Sequence, residues 1–143
     1  MSLADPEPDL ASRLDAASLV GMTFAVWAGL QPGRTAVVDP DGATHSFAEV
    51  NANANRLVRL LRASGLGVGD SVALVCSNRV EFLETLAAAL RCGMRLTPVN
   101  WHLTADEIGY IIRDCEAKVV IADARVATVP EAIAACPGLT LKL

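Results

Sequence analysis

The strongest constraint in this sequence is a pair of short runs, Val72 to Cys76 and Val119 to Ala122, in which neighbouring residues are all apolar instead of alternating with polar ones. Successive side chains of a strand point to opposite faces, so such runs need cover on both sides. Segments with helical periodicity lie between them, and strands buried on both faces and joined by helices form parallel βαβ units with right-handed crossovers. Arg95 to Pro98 reads as a shorter third strand, with Pro98 at its end because proline cannot donate to the ladder. A helix at about 127–135 and a strand at 139–141 extend the series. The fold class expected is α/β: parallel βαβ layers preceded by an amino-terminal helix and a β-hairpin.

Three helices open with one device, an oxygen-bearing cap followed three residues on by a glutamate that reaches back to the free amides. The pairs are Ser46 with Glu49, Asn78 with Glu81, and Thr104 with Glu107. Apolar residues then recur at helical spacing: Val50, Ala54, Leu57 and Leu61; Leu83, Leu86, Ala87 and Leu90; Ile108, Ile111, Ile112 and Cys115. Gly65 and Gly93 mark helix ends. Upstream, Thr35 to Val38 and Ala43 to Ser46 flank the turn Asp39-Pro40-Asp41-Gly42 and make the hairpin.

Residues 16–33 carry no charge, and the run Leu19 to Leu30 reads as one helix buried on a wide face. Leu19, Met22, Val26 and Leu30 lie on one side, with Val20, Phe24 and Trp27 beside them. The acids ahead of it (Asp5, Glu7, Asp9, Asp15) against a single Arg13 speak against an export signal, and a membrane span needs about 20 strongly apolar residues. Residues 1–15 are expected to be a loose acidic arm and 16–143 the α/β unit.

Composition narrows the partners. The chain has 143 residues, 52% of them hydrophobic, and a net charge of −4 with only two lysines, Lys118 and Lys142. Polyanion binding needs clustered positive charge, so nucleic acid is not an expected partner. Apart from the two tryptophans the aromatics are Phe24, Phe47, Phe82 and Tyr110, too scattered for a base-stacking platform. Cys76, Cys92, Cys115 and Cys136 form no C-x-x-C pair and have only His45 and His102 as possible co-ligands, so they read as reduced core thiols of a cytoplasmic protein and no metal site is expected.

In open α/β sheets, ligands gather outside the carboxyl ends of the strands. That rule picks out Ser77-Asn78-Arg79, Asn100-Trp101-His102 and Asp123-Ala124-Arg125. Asn100, Trp101 and His102 are the substrate-cleft candidates, because an amide, an indole and an imidazole on one strand-end loop can line a pocket; the plainer reading has Trp101 capping the core. Gly65-Leu66-Gly67-Val68-Gly69 follows a helix and precedes a strand, the reverse of a dinucleotide fingerprint, and is a turn. Arg56, Arg59 and Arg62 fall opposite Leu57, Leu60 and Leu61, together with Asn51 and Asn55. A solvated face is their ordinary role, and peripheral contact with an anionic membrane or a phosphate-bearing partner is the functional alternative. The sequence holds no G-x-x-x-x-G-K-[ST], G-x-S-x-G or H-E-x-x-H motif, so by residues alone it is an α/β unit without a complete active site.

Taken in order, Ser46-Phe47-Ala48-Glu49-Val50-Asn51 with Asn55-Arg56-Leu57, the stretch Gly65 to Ala73, the Asn78 to Phe82 helix start, and Pro98-Val99-Asn100 through Leu103-Thr104-Ala105-Asp106-Glu107-Ile108 resemble the amino-terminal part of the adenylate-forming (AMP-binding) superfamily. Within it, Val99 to Thr104 is most similar to the fatty acyl-CoA synthetases. The resemblance runs from about residue 18 to about residue 125. It implies a parent ligase in which a carboxylate attacks the α-phosphate of ATP, with magnesium, and the coenzyme A thiol then displaces AMP. The Ser/Thr/Gly-rich phosphate loop with its lysine, the later acids and the carboxyl-terminal lid of that family are not in these residues. No catalytic, cofactor-binding or metal residue is therefore assigned, and the chain is expected to be an inactive fragment that binds no cofactor by itself. Its expected partners are the remainder of the synthetase, a fatty or related carboxylic acid for the parent, and a second copy in a homodimer. The alternative is a stand-alone α/β interaction or small-ligand module derived from that family.

Overall fold

A computed structural model describes residues 9–143. It opens with α1 (Leu10–Ser18) and α2 (Thr23–Leu30), followed by a hairpin of β1 (Thr35–Val38) and β2 (Thr44–Ser46). Then come α3 (Phe47–Ala63), β3 (Ser71–Val75), α4 (Val80–Cys92), β4 (Arg95–Val99), α5 (Ala105–Asp114), β5 (Ala117–Ala122), α6 (Val129–Ala134) and β6 (Leu141–Lys142). The last four strands form one parallel sheet in the order β4-β3-β5-β6, and the hairpin stands apart as its own two-stranded sheet. Pro98 lies in β4, an edge strand, opposite Leu74 of β3.

Every residue of β3 is buried, as its unbroken apolar run requires. Val72 and Val119 meet Val58 and Leu61 of α3 and Ala88, Ala89 and Cys92 of α4 on one face. Ala73, Val75 and Val120 meet Ile108 and Ile112 of α5 and Val129 and Ala132 of α6 on the other. Each large side chain so enclosed contributes about 1.5–3 kcal/mol relative to leaving it in water.

Ser46 with Glu49 and Thr104 with Glu107 form complete capping boxes, and Gly93 ends α4 in the left-handed conformation. The third expected box does not form. The cap position of α4 is Arg79, without a side-chain bond of its own, and Asp39 of the hairpin turn supplies the oxygen instead: Val80 N–H donates to Asp39 Oδ1 at 2.8 Å. The buried face of α4 also differs from the leucine repeat. Val80, Thr85, Ala87, Ala88, Ala89 and Cys92 are buried while Leu90 is exposed, because α4 is flanked by α3 and the sheet and turns small residues to both.

The single amino-terminal helix is also corrected. Gly21 adopts φ +68° and breaks the segment into α1 and α2, leaving Leu19 and Val20 in water. Instead of one wide buried face, α2 is half-buried from Thr23 to Ala28 and exposed at Gly29 and Leu30, with Phe24 and Trp27 packed on Phe47 at centroid distances of 6.3 and 5.9 Å. Asp9 caps α1 by accepting from Ser12 N–H, so residues 10–15 of the expected arm are helical; residues 1–8 lie outside the described part. Asn51 and Asn55 are not on a solvated face either. Both side chains accept hydrogen bonds from the half-buried guanidinium of Arg91, at 2.9 and 2.6 Å, and so tie α3 to α4. No described helix is long and apolar enough to cross a membrane.

Candidate functional site

The carboxyl ends of β3 and β5 lie side by side, which brings Ser77-Asn78-Arg79 against Asp123-Ala124-Arg125. The hairpin turn Asp39-Pro40-Asp41 and Trp101, from the loop after β4, complete a cleft of about 560 Å³. The Asp39 cap on α4 and a 3.3 Å contact between Asp39 Oδ2 and His45 Nε2 fasten the hairpin at this rim.

Asp123 is the hub of the cleft. Its N–H donates to Val75 O at 2.9 Å, fixing the loop as β5 ends. Its carboxylate, with the side chain only 3% exposed, accepts from Arg125 Nη2 at 2.8 Å, Arg125 Nε at 3.0 Å, Arg125 N–H at 3.0 Å and Ser77 Oγ at 2.9 Å. Arg79 Nη1 stands 3.7 Å away, and Arg79 Nε meets Glu81 Oε2 at 2.5 Å. Hydrogen bonds from the Arg125 side chain, above all, hold the Asp123 carboxyl well below the usual carboxylate range, and Asp123 in turn raises Arg125. Behind this cluster burial, with the charges of Asp123 and Glu81, pushes the Cys76 thiol up to about 11. Cys76 thus keeps its proton at neutral pH and is no nucleophile.

The three expected cleft residues separate. Trp101 lines the cleft, whereas Asn100 and His102 are not among its lining residues. Asn100 Oδ1 accepts from His102 N–H at 3.0 Å and shapes the turn, and the His102 ring lies beside the indole with centroids 3.5 Å apart. Asp39, Pro40 and Asp41 enter the lining although their sequence signal was that of a turn alone. With a charged acid, two guanidiniums and an indole wall, the cleft has the groups to bind and orient a ligand.

An open parallel sheet covered by helices on both faces, with a cleft at the carboxyl ends of the strands, defines a doubly covered α/β unit. Residues 24–141 match the AMP-binding enzyme family. The chain is 37% identical over 117 residues to the long-chain-fatty-acid–CoA ligase FadD13 of Mycobacterium tuberculosis, covering 81% of this chain and 23% of that protein. It is 38% identical over 98 residues to 2-succinylbenzoate–CoA ligase of Geobacillus kaustophilus, covering 68% and 20%. Among solved structures, a Mycobacterium tuberculosis fatty acyl CoA synthetase superposes with a TM-score of 0.78 at 34% identity, over 90% of this chain and 27% of that one. This chain belongs to the AMP-binding enzyme family. Its four-stranded parallel sheet is part of the adenylate-forming fold, and it spans about a quarter of the length of the relatives it matches.

Proposed function

We propose that this chain is the amino-terminal α/β portion of an ATP-dependent fatty acyl-CoA synthetase, which converts a carboxylate, ATP and CoA into acyl-CoA, AMP and pyrophosphate. The observation that carries the reading is the 37% identity to a fatty-acid CoA ligase over 117 residues, in a chain that also shares that fold. In this reading the strand ends form one wall of the acyl and adenylate cleft, with Trp101 as its aromatic face and the Asp123 cluster holding the wall rigid.

The activating chemistry is assigned elsewhere in the parent. Stabilising charge on a transferring phosphoryl group takes unpaired cations aimed at it, but Arg79 and Arg125 are already committed to Glu81 and Asp123. The cleft does not fit magnesium either. The Asp123 oxygens are filled by Ser77 and Arg125, those of Asp39 by Val80 N–H and His45, Asp41 Oδ1 accepts from Ala43 N–H, and the described residues hold no group of three or more His, Cys, Asp or Glu placed for a metal. No step through the ion is therefore assigned to these residues. The four free thiols support a reducing compartment such as the cytoplasm.

The mass of the natural polypeptide, followed by an acyl-substrate panel on it, tests the proposal. A polypeptide several times longer than this chain that forms AMP with fatty acids is the expected result. A natural 15.0 kDa product, or a long one active only on non-fatty carboxylates, overturns it. The short product would leave the stand-alone binding module as the reading.

A further inference from the structure

Four aliphatic side chains that the core leaves unused converge at the end of the sheet opposite the cleft. Leu19 and Val20, between α1 and α2, are 87% and 58% exposed; Val68, in the turn before β3, is 90% exposed, and Leu90, near the end of α4, 52%. All four line one shallow hollow of about 360 Å³ together with Arg62 and Arg91. Their positions are built in. Gly21 lies directly on the backbone of Leu90 and Arg91, and Val68 Cγ2 sits 3.0 Å from where a Cβ on Gly93 would be. In a chain of net charge −4, no carboxylate among the described residues lines this hollow. Arg62 is exposed at its rim, where it donates to Arg91 O at 3.2 Å, and exposed Arg59 lies one turn back along α3.

We propose that this surface rests on an anionic lipid bilayer, with the four aliphatic tips entering the boundary between headgroups and acyl chains and Arg62 and Arg59 reaching headgroup phosphates. Separate apolar tips flanked by long cationic side chains match that boundary, where the tips enter the acyl layer and arginine stems lie along it with their charge in the headgroups. A second copy of the chain fits worse. A twofold pairing through the same patch sets arginines against arginines, with no carboxylate among the described lining residues to answer them. Arg56, which the sequence pattern placed in the same stripe, is excluded. Its guanidinium is bonded to Asn53, and it lines a different hollow beside β5. On the proposed reading the contact requires that the rest of the parent leave this surface open; because the patch lies at the amino ends of β3 and β4, it leaves the cleft facing away from the bilayer.

Flotation of the full chain with vesicles tests this. The chain is expected to float with phosphatidylcholine–phosphatidylglycerol vesicles, more weakly as salt rises, and not with phosphatidylcholine alone. Arg62→Gln should lower the partition coefficient about fivefold, and Leu19→Ser combined with Val68→Ser more than about tenfold. Both variants should keep the wild-type circular dichroism, because the altered side chains stand in water. Absence of flotation, equal flotation with neutral vesicles, or unchanged partitioning of the variants overturns the proposal. So does a concentration-dependent dimer that the Leu19/Val68 variant abolishes while vesicle binding persists, which would assign the surface to a second copy.

Discussion

Gly21→Ala is expected to destabilise the chain by about 3 kcal/mol, from a left-handed backbone penalty of about 1–2 kcal/mol and an overpacking penalty of about 1–3 kcal/mol. Gly21 has φ +68°, and a Cβ there would lie 2.6 Å from Leu90 Cβ, 2.7 Å from Leu90 C and 2.8 Å from Arg91 N. Two of those atoms are backbone of α4 and cannot swing aside. The displacement would also disturb Arg91, whose Nε donates to Gly21 O at 3.1 Å while its other nitrogens hold Asn51 and Asn55. That guanidinium is held by neutral oxygens, and burial lowers its pKa, so losing one acceptor strains the junction of α3 and α4. Urea unfolding compared with Gly29→Ala provides the check. Gly29 lies in α2 with nothing within 4 Å of where its Cβ would stand, so alanine there should be neutral or stabilising by up to about 1 kcal/mol. A Gly21→Ala midpoint equal to that of the wild type would contradict the close approach.

The second large effect is centred on Asp123. Asp123→Ala should cost about 2 kcal/mol, in the range for hydrogen bonds to a charged group. The loss leaves Ser77 Oγ and the Arg125 backbone N–H without their acceptor. It is held below the figure for a fully enclosed ion pair because the Arg125 side chain is 70% exposed and can turn to water. The pH dependence has a definite sign. The folded carboxyl ionises below its ordinary range, so its stabilisation is complete above the unfolded value of about 4 and is lost as pH falls through the folded value. Asp123→Asn keeps the shape but cannot ionise. The gap in stability between wild type and Asp123→Asn should therefore be widest near neutral pH and narrow steadily below about pH 4. A gap that stays constant on acidification would show that the charge contributes nothing.

What the sequence disclosed and what it hid divide along contact distance. Strands such as Val72 to Cys76 and the boxes at Ser46 and Thr104 were legible because their causes are local: two-sided burial within five residues, or a cap and a glutamate three apart. The cap of α4 was hidden because its oxygen comes from Asp39, 41 residues earlier, and the roles of Asn51 and Asn55 because their partner Arg91 lies on another helix. Gly21 was a visible signal in the apolar run from Leu19 to Leu30, yet hydrophobic continuity masked it. The carboxyl-end rule located the cleft, since Ser77, Arg79, Trp101, Asp123 and Arg125 all line it. It could not foresee that Asn100 would bond the His102 N–H within their own exposed loop, or that the hairpin would bring Asp39 and Asp41 to the rim.

On the proposed function, these residues supply the shape of an adenylation site while the charged machinery belongs to the rest of the parent. Fatty-acid-dependent ATP–pyrophosphate exchange by the purified 143-residue chain measures this directly. Exchange at the level of the protein-free blank, over the full range of chain concentrations, is predicted. Exchange that rises in proportion to the chain and disappears in Asp123→Ala would contradict it.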